Sequence, residues 1–196
     1  MKTIVWDVDD VLNNLMHDWF ESWWLPAHPQ STLGYQQLKK NPPHTVLNIS
    51  IEEYLESLDD FRSSSFSSMK PVPEVMEWFH KYGENYRHIA LTATPIRFAD
   101  LSASWVIKHF GKWIRSFNFV PSHRREEVIP DYDRTKQDFL VWWRKADILV
   151  DDNENNTLAA QSVGVFPVLM PRPWNSKHTI KAVTCEQLNN WLRCDS

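Results

Sequence analysis

The sequence predicts an α/β protein: a doubly wound parallel sheet flanked by helices, with a small helical cap inserted after the first strand. Three observations carry this. Ile4-Val5-Trp6 is an apolar run that drops directly into the carboxylates Asp7, Asp9 and Asp10. Ile148-Leu149-Val150 ends in the same way, in Asp151 and Asp152. From about residue 71 onward, strand-like and helix-like stretches alternate regularly. Short, fully apolar runs are the mark of buried central strands, and ligands of open parallel sheets gather beyond their carboxyl ends. Two such acidic ends, far apart in sequence, can meet at one edge of a single sheet.

Taken in order, the first strand is expected over 3–7. Residues 13–70 break the rhythm and read as a helical cap on a core formed by 1–12 and 71–196. Leu12, Leu15, Met16, Trp19, Phe20, Trp23 and Trp24 trace a helical stripe. Asn41-Pro42-Pro43 interrupts the chain. Ser50 and Glu53 have capping-box spacing and open a helix through Leu58, and the SSSFSS run at 63–68 is expected to be a hinge loop. Then come helix 73–82, with Val72, Val75, Met76 and Phe79 on one face, strand 87–92, helix 97–110 and strand 117–121. Helix 135–145, strand 147–151, helix 154–163, strand 165–170 and helix 184–193 complete the alternation. Of only four glycines, Gly83, Gly111 and Gly164 directly follow helix-like stretches, where a left-handed helix stop is expected.

Composition narrows the function classes. With 196 residues, 42% of them hydrophobic and eleven tryptophans, the chain can bury a substantial core. A formal charge of −4 provides no broad attraction to nucleic acid polymers or anionic membranes. No stretch approaches the roughly eighteen apolar residues of a membrane span, nor a signal-peptide core, so a soluble cytoplasmic protein is expected. Cys185 and Cys194 share an expected helix about 13 Å apart, beyond disulfide reach, which fits reduced thiols. The glycosylation tripeptides at Asn48 and Asn155 then carry no meaning. With so few glycines there is no phosphate-cradling P-loop and no dinucleotide turn. The eight histidines show no zinc-binding spacing. Exposure of Trp19, Trp23 and Trp24 would mark a homodimer interface, since large apolar patches usually mark partners.

Crowded carboxylates repel, and a hard divalent cation with oxygen ligands relieves them, so Mg²⁺ is the expected cofactor. The strand HIALT ends in Thr92, with Ala93 and Thr94 beside it, and would bring a hydroxyl and backbone amides to the same sheet edge. Lys136, opening the helix before strand 147–151, would add a positive charge. Each alone is weak: a strand-end Thr is usually a turn residue, and a lysine at a helix start is usually solvated.

Their order is what counts. Asp7-Val8-Asp9-Asp10-Val11, Leu91-Thr92-Ala93, Lys136 and Ile148-Leu149-Val150-Asp151-Asp152 together resemble the four motifs of the haloacid dehalogenase superfamily of phosphohydrolases, over nearly the whole chain. The resemblance implies that Asp7 is the nucleophile, forming an aspartyl-phosphate, and that Asp9 is the general acid and base. It implies Mg²⁺ held by Asp7, the Asp9 carbonyl and Asp152, and phosphoryl oxygens clasped by Thr92 and Lys136. Thr94, Lys145 and Asp151 stand as alternatives to Thr92, Lys136 and Asp152. A carboxylate at Asp9 favours phosphate-ester hydrolysis over dehalogenation.

Within the superfamily the nearest likeness is to the 5′-(3′)-deoxyribonucleotidase family. It rests on DVDDVL at Asp7, the Phe61 segment followed by Met69-Lys70-Pro71-Val72-Pro73, the ILVDD strand, and Arg172-Pro173-Trp174-Asn175. By that likeness Phe20 or Trp24, Phe61 and Phe66 could stack on a nucleobase, and Arg124 or Arg125 could touch the sugar-phosphate. Against this, a tryptophan-rich stripe on a small cap is more often its own core. The expected substrate is a nucleoside monophosphate, with sugar or other small organic phosphates next. A non-catalytic phosphate-binding or regulatory protein of the same fold is the alternative from another class.

Overall fold

In a computed structural model, which describes residues 1–194 apart from His123 and Glu126, strand β1 (Thr3–Trp6) lies at the centre of a five-stranded sheet. All four of its residues are buried. Alternate side chains serve opposite faces, as a strand requires: Ile4 and Trp6 join one apolar cluster and Val5 the other. Both faces are covered, which is the condition a parallel sheet needs.

Between β1 and residue 68 the regular elements are all helical, joined by turns and loops. Helix α1 (Leu15–Trp19) runs into a π-helical turn, Phe20–Trp24, and then α2 (Leu25–Ala27). Next are α3 (His44–Leu47) and α4 (Ile51–Ser65), whose first turn is capped by Ser50 Oγ accepting from the Glu53 amide at 3.0 Å. Helix α5 (Pro73–Tyr82) starts on a proline, where a missing N–H costs nothing. Strand β2 (Arg87–Thr94), helix α6 (Ala99–Phe110) and strand β3 (Ile114–Pro121) follow. Helix α7 (Lys136–Trp143) opens with a reciprocal capping box between Thr135 and Asp138. Strand β4 (Ile148–Asp151), helix α8 (Glu154–Ser162), strand β5 (Phe166–Leu169) and helix α9 (Lys181–Cys194) end the described chain.

The strand order is β3-β2-β1-β4-β5, with every pairing parallel. From β1 the chain winds outward through β2 and β3, then returns to the other side for β4 and β5. The reversal places a crevice at the carboxyl ends of β1, β2 and β4, where such sheets bind ligands. Trp6, Trp78, Phe79 and Phe110 pack beneath one face, and the same cluster continues without a break into Leu15, Trp19, Phe20, Tyr54 and Phe61. Phe139, Leu140 and Ala160 cover the other face. His88 accepts from Trp6 Nε1 at 3.0 Å and contacts the Gly83 carbonyl at 2.8 Å, and burial pushes it down to about 4, so it stays neutral. No helix among the described residues is long and apolar enough to cross a membrane.

Several expectations are corrected. The run at 63–68 is no hinge loop: α4 continues to Ser65 and a 3-10 turn covers Phe66–Ser68. The serines are tolerated there because Ser63, Ser64 and Ser68 each return a hydroxyl hydrogen bond to a carbonyl of the preceding turn. Gly83 and Gly111 end their helices with right-handed backbone. They are small for another reason, since a Cβ at Gly83 would press on Trp113 and one at Gly111 on the Ile107 carbonyl. Trp19 and Trp24 are buried inside the chain's own core, so they supply no exposed patch for a second copy. Cys185 is a buried free thiol, while the side chain of Cys194 lies outside the described residues.

Gly164 alone among the glycines has the left-handed backbone, at φ 83°, with nothing within 4 Å of a Cβ placed on it. Gly164→Ala should therefore lower stability by about 1 kcal/mol through backbone strain alone, and Gly164→Asn by less. Urea unfolding of the two variants measures this; equal, negligible losses would mean the left-handed turn is not adopted.

Candidate active site

The sheet ladder itself aims the first carboxylate. Beyond the last residue of β1, the Asp7 amide still donates to the Val150 carbonyl of β4 at 2.9 Å. This holds Asp7 level with Asp151 and Asp152. Acidic oxygens of these three buried residues lie within 4.8 Å of one another. The chain then turns sharply: Asp10 takes a left-handed conformation, φ 60°, which aspartate tolerates better than most residues. Its carboxylate accepts from the Met16 amide at 3.2 Å.

Lys136 is the cation nearest to this acidic group. Thr135 caps α7 and so fixes where the lysine starts its reach. Its Nζ stands 2.7 Å from Asp7 Oδ2 and 2.6 Å from Asp151 Oδ2, with the side chain almost wholly buried. Burial alone would push the ammonium down, but Asp151 and Asp7 outweigh it and hold the group above its usual range. Asp151 is further engaged by the Asn153 amide at 2.8 Å and by Asn156 Nδ2 at 3.2 Å to both oxygens. Asp152 keeps more freedom: Oδ2 accepts from Trp174 Nε1 at 2.8 Å, and its carbonyl accepts from Asn175.

One buried lysine does not balance three carboxylates. Desolvation raises Asp7 well above the ordinary carboxylate range, opposed by Lys136 and reinforced by Asp151 and Asp152. Asp152 is pushed up to about 8, by burial first and then by Asp151 and Asp10. A cluster of oxygen ligands with surplus negative charge suits a hard divalent ion, so the residues fit Mg²⁺.

A cavity of about 270 Å³ opens on this cluster. Its walls include Asp9, Thr92, Ala93 and Arg124 from the sheet edge and Leu15, Met16, Tyr54, Leu58 and Arg62 from the helical segment. Thr92 Oγ1 is buried with no hydrogen-bond partner, whereas Thr94 Oγ1 accepts from Arg62 at 3.2 Å. Lys145 and Arg125 are exposed. Phe20, Trp24, Phe61 and Phe66 are buried in the core and do not line the cavity. Phe20 stacks on Trp24 at 5.4 Å, and Phe66 packs edge-on to Trp105. Their placement removes the aromatic platform expected for a base. Arg124 reaches the cavity but forms a two-pronged pair with Asp59, at 2.7 and 2.9 Å.

Sequence reasoning missed three groups. Arg62 of α4 donates to Asp9 Oδ2 at 2.8 Å, and Asn13 Nδ2 donates to Asp9 Oδ1 at 3.1 Å. Asp59, one turn before Arg62, is buried against Arg97 as well as Arg124. Arg172 was noted only as part of a motif; it donates to the Asp10 carbonyl at 2.6 Å, to the Asn13 carbonyl at 3.1 Å and to Asn14 Oδ1 at 2.9 Å. The one available signal was the i, i+3 spacing of Asp59 and Arg62, which puts both on one helix face.

No protein-family model matches the sequence, and neither does any curated protein. Solved structures do match. A haloacid dehalogenase-like hydrolase from Streptococcus pneumoniae shares 12% identity, with 97% of this chain and 98% of that one covered at a TM-score of 0.62. A subfamily IA hydrolase of the haloacid dehalogenase superfamily from Geobacter sulfurreducens gives 12%, 97%, 96% and 0.54. A protein from Clostridium acetobutylicum described as a predicted phosphatase gives 10%, 98%, 98% and 0.61. The chain thus has the fold of haloacid dehalogenase-like hydrolases. The narrower likeness to deoxyribonucleotidases gains no support from these structures.

The Asp152 shift has a sign that thermal unfolding can check. Its folded value of about 8 exceeds the unfolded one, so its contribution to stability is full below the unfolded value, shrinks as pH rises through about 8, and is flat above. In metal-free buffer, Asp152→Asn should therefore gain on wild type in melting temperature between about pH 5 and pH 8. Added Mg²⁺ should raise wild type and leave the variant nearly unmoved. A pH-independent gap would show that Asp152 carries no such burial cost.

Proposed function

We propose that this chain is a Mg²⁺-dependent phosphomonoesterase that works through an aspartyl-phosphate. The observation that carries the reading is the buried Asp7–Lys136–Asp151 group beside a partnerless Thr92 hydroxyl, in one cavity with Asp9 and Asp152. Asp7, Asp152 and the Asp9 carbonyl would hold the ion, with Asp151 committed to Lys136. Bound there, the ion would keep Asp7 ionised near neutral pH and offset charge on the phosphoryl oxygens.

An Asp7 oxygen forms a bond to phosphorus as the bond to the leaving oxygen breaks, and Asp9 gives that oxygen its proton. A water then loses a proton to Asp9 and attacks the phosphorus. The acyl-phosphate bond breaks, inorganic phosphate leaves and both carboxyl groups are restored. Lys136, held protonated by its two carboxylates, fixes the Asp7 oxygen and draws in the phosphoryl group. The Thr92 hydroxyl donates to a phosphoryl oxygen. Residues 13–70 act as a cap on the core of 1–12 and 71–196, and supply the wall that meets the leaving group. The free buried thiol of Cys185 suits a reducing cytoplasm.

Substrate preference follows from the wall. A cavity of about 270 Å³ is at the small end of ligand pockets. Tyr54 is its one aromatic lining residue among those described. We therefore rank sugar and other small organic phosphates above nucleoside monophosphates, which rest on the sequence likeness alone.

Phosphate release with Mg²⁺ over a panel of sugar, small organic and nucleoside monophosphates tests both statements. Asp7→Asn should abolish turnover, and Lys136→Met should lower kcat on the order of 10²-fold or more. Activity that survives in the Asp7 variant, or its absence across the panel, would end the phosphatase reading in favour of a binding or regulatory role.

A further inference from the structure

Asp9 is fully engaged in this structure. Its Oδ2 accepts from Arg62 at 2.8 Å and its Oδ1 from Asn13 at 3.1 Å. With a donor already on each oxygen, a leaving group has to compete with Arg62 or Asn13 for this acid. Arg62 is the opposite case. Its guanidinium is buried, it donates to Asp9 and Thr94, and its Nε–H has no partner. A buried donor left unmade is costly, and arginine's fork matches phosphoryl oxygens in pairs. Thr92 Oγ1, also partnerless, lines the same cavity.

The anchoring of α4 makes this placement firm. Asp59, three residues before Arg62, is clamped by Arg124 and Arg97 from the two loops that follow β3 and β2. Arg62 is thereby held over the carboxyl ends of the strands, lining the same cavity as Asp9 and Thr92.

We propose that Arg62 changes partners during the reaction: without substrate it occupies Asp9, and when a phosphoryl group enters it passes to the phosphoryl oxygens, freeing Asp9 to serve the leaving oxygen. The proposal rests on the phosphomonoesterase reading above and adds a phosphoryl-binding and positioning residue to it. The arriving dianion supplies the acceptors that Nε–H lacks. The exchange also ties release of the acid to the presence of the group it must act on.

The test compares wild type, Arg62→Ala and Arg62→Lys with Mg²⁺ present. Inorganic phosphate affinity is read by calorimetry. Hydrolysis is read with p-nitrophenyl phosphate, whose leaving group needs no proton, and with an alkyl phosphate, whose leaving group does. Arg62→Ala should weaken phosphate binding and raise KM about tenfold or more, with the alkyl-to-aryl ratio of kcat unchanged. Arg62→Lys should recover part of the loss, and it keeps the test available if the alanine variant does not fold. Unchanged phosphate affinity, or a kcat loss confined to the alkyl ester, would overturn the exchange and leave Arg62 as an orienter of Asp9. Arg62-dependent phosphate binding without turnover would instead sink the catalytic reading while keeping the contact. Neither binding nor turnover would overturn both.

Discussion

The Lys136 ammonium, buried between Asp7 and Asp151, is the interaction on which the rest of the site depends. Three buried carboxylates at the ends of adjacent strands could not coexist without it, because burial and mutual repulsion both oppose their ionisation. One cation is too few to satisfy them, and that shortfall is what makes the site suited to a second, divalent one. A fully neutralised cluster would have no surplus charge with which to draw in a cation. The site is thus kept short of positive charge by its own composition, and the fold tolerates this because the ladder and α7 fix the positions independently of the charges.

The sheet edge was legible in the sequence because its members are set by local rules. Asp7, Asp151 and Asp152 follow apolar strands, Thr92 lies near a strand end and Lys136 opens a helix. Each placement needs only the pattern of a few neighbouring residues. Arg62 was not legible, since its partner Asp9 is 53 residues away and nothing near α4 marks an arginine for burial. The same applies to Asp59 and to the reach of Arg172. The aromatic stripe was read in two ways from sequence. Phe20, Trp24 and Phe61 went to the core because the helical segment after β1 packs its apolar face on itself and on the sheet. Gly83 and Gly111 missed the left-handed expectation because close neighbours, rather than backbone angle, require their small size.

The helical segment between β1 and α5 is joined to the sheet by two kinds of contact. One apolar cluster passes from Trp6 through Leu15 and Trp19 to Tyr54 without interruption. At the opposite end α4 meets the loops through charges, with Asp59 and Arg62 each facing partners across the crevice. Apolar contacts favour one packed arrangement. Charged pairs can be traded for a ligand's own charges. The edge of this helical segment that faces the cavity is therefore the adaptable one.

Arg172 has a consequence for how the protein is made. The guanidinium that holds the carbonyls of Asp10 and Asn13 belongs to residue 172, and both sheet neighbours of β1 also come later in the chain, so the acidic loop is made well before the groups that fix it. Until then this fully buried strand has two unpaired edges. Nascent chains expose such edges as templates for unwanted pairing. No fragment that stops short of residue 172 carries a completed acidic loop. The central strand therefore waits for both of its partners, an exposure in the nascent chain that follows from its place at the centre of the sheet.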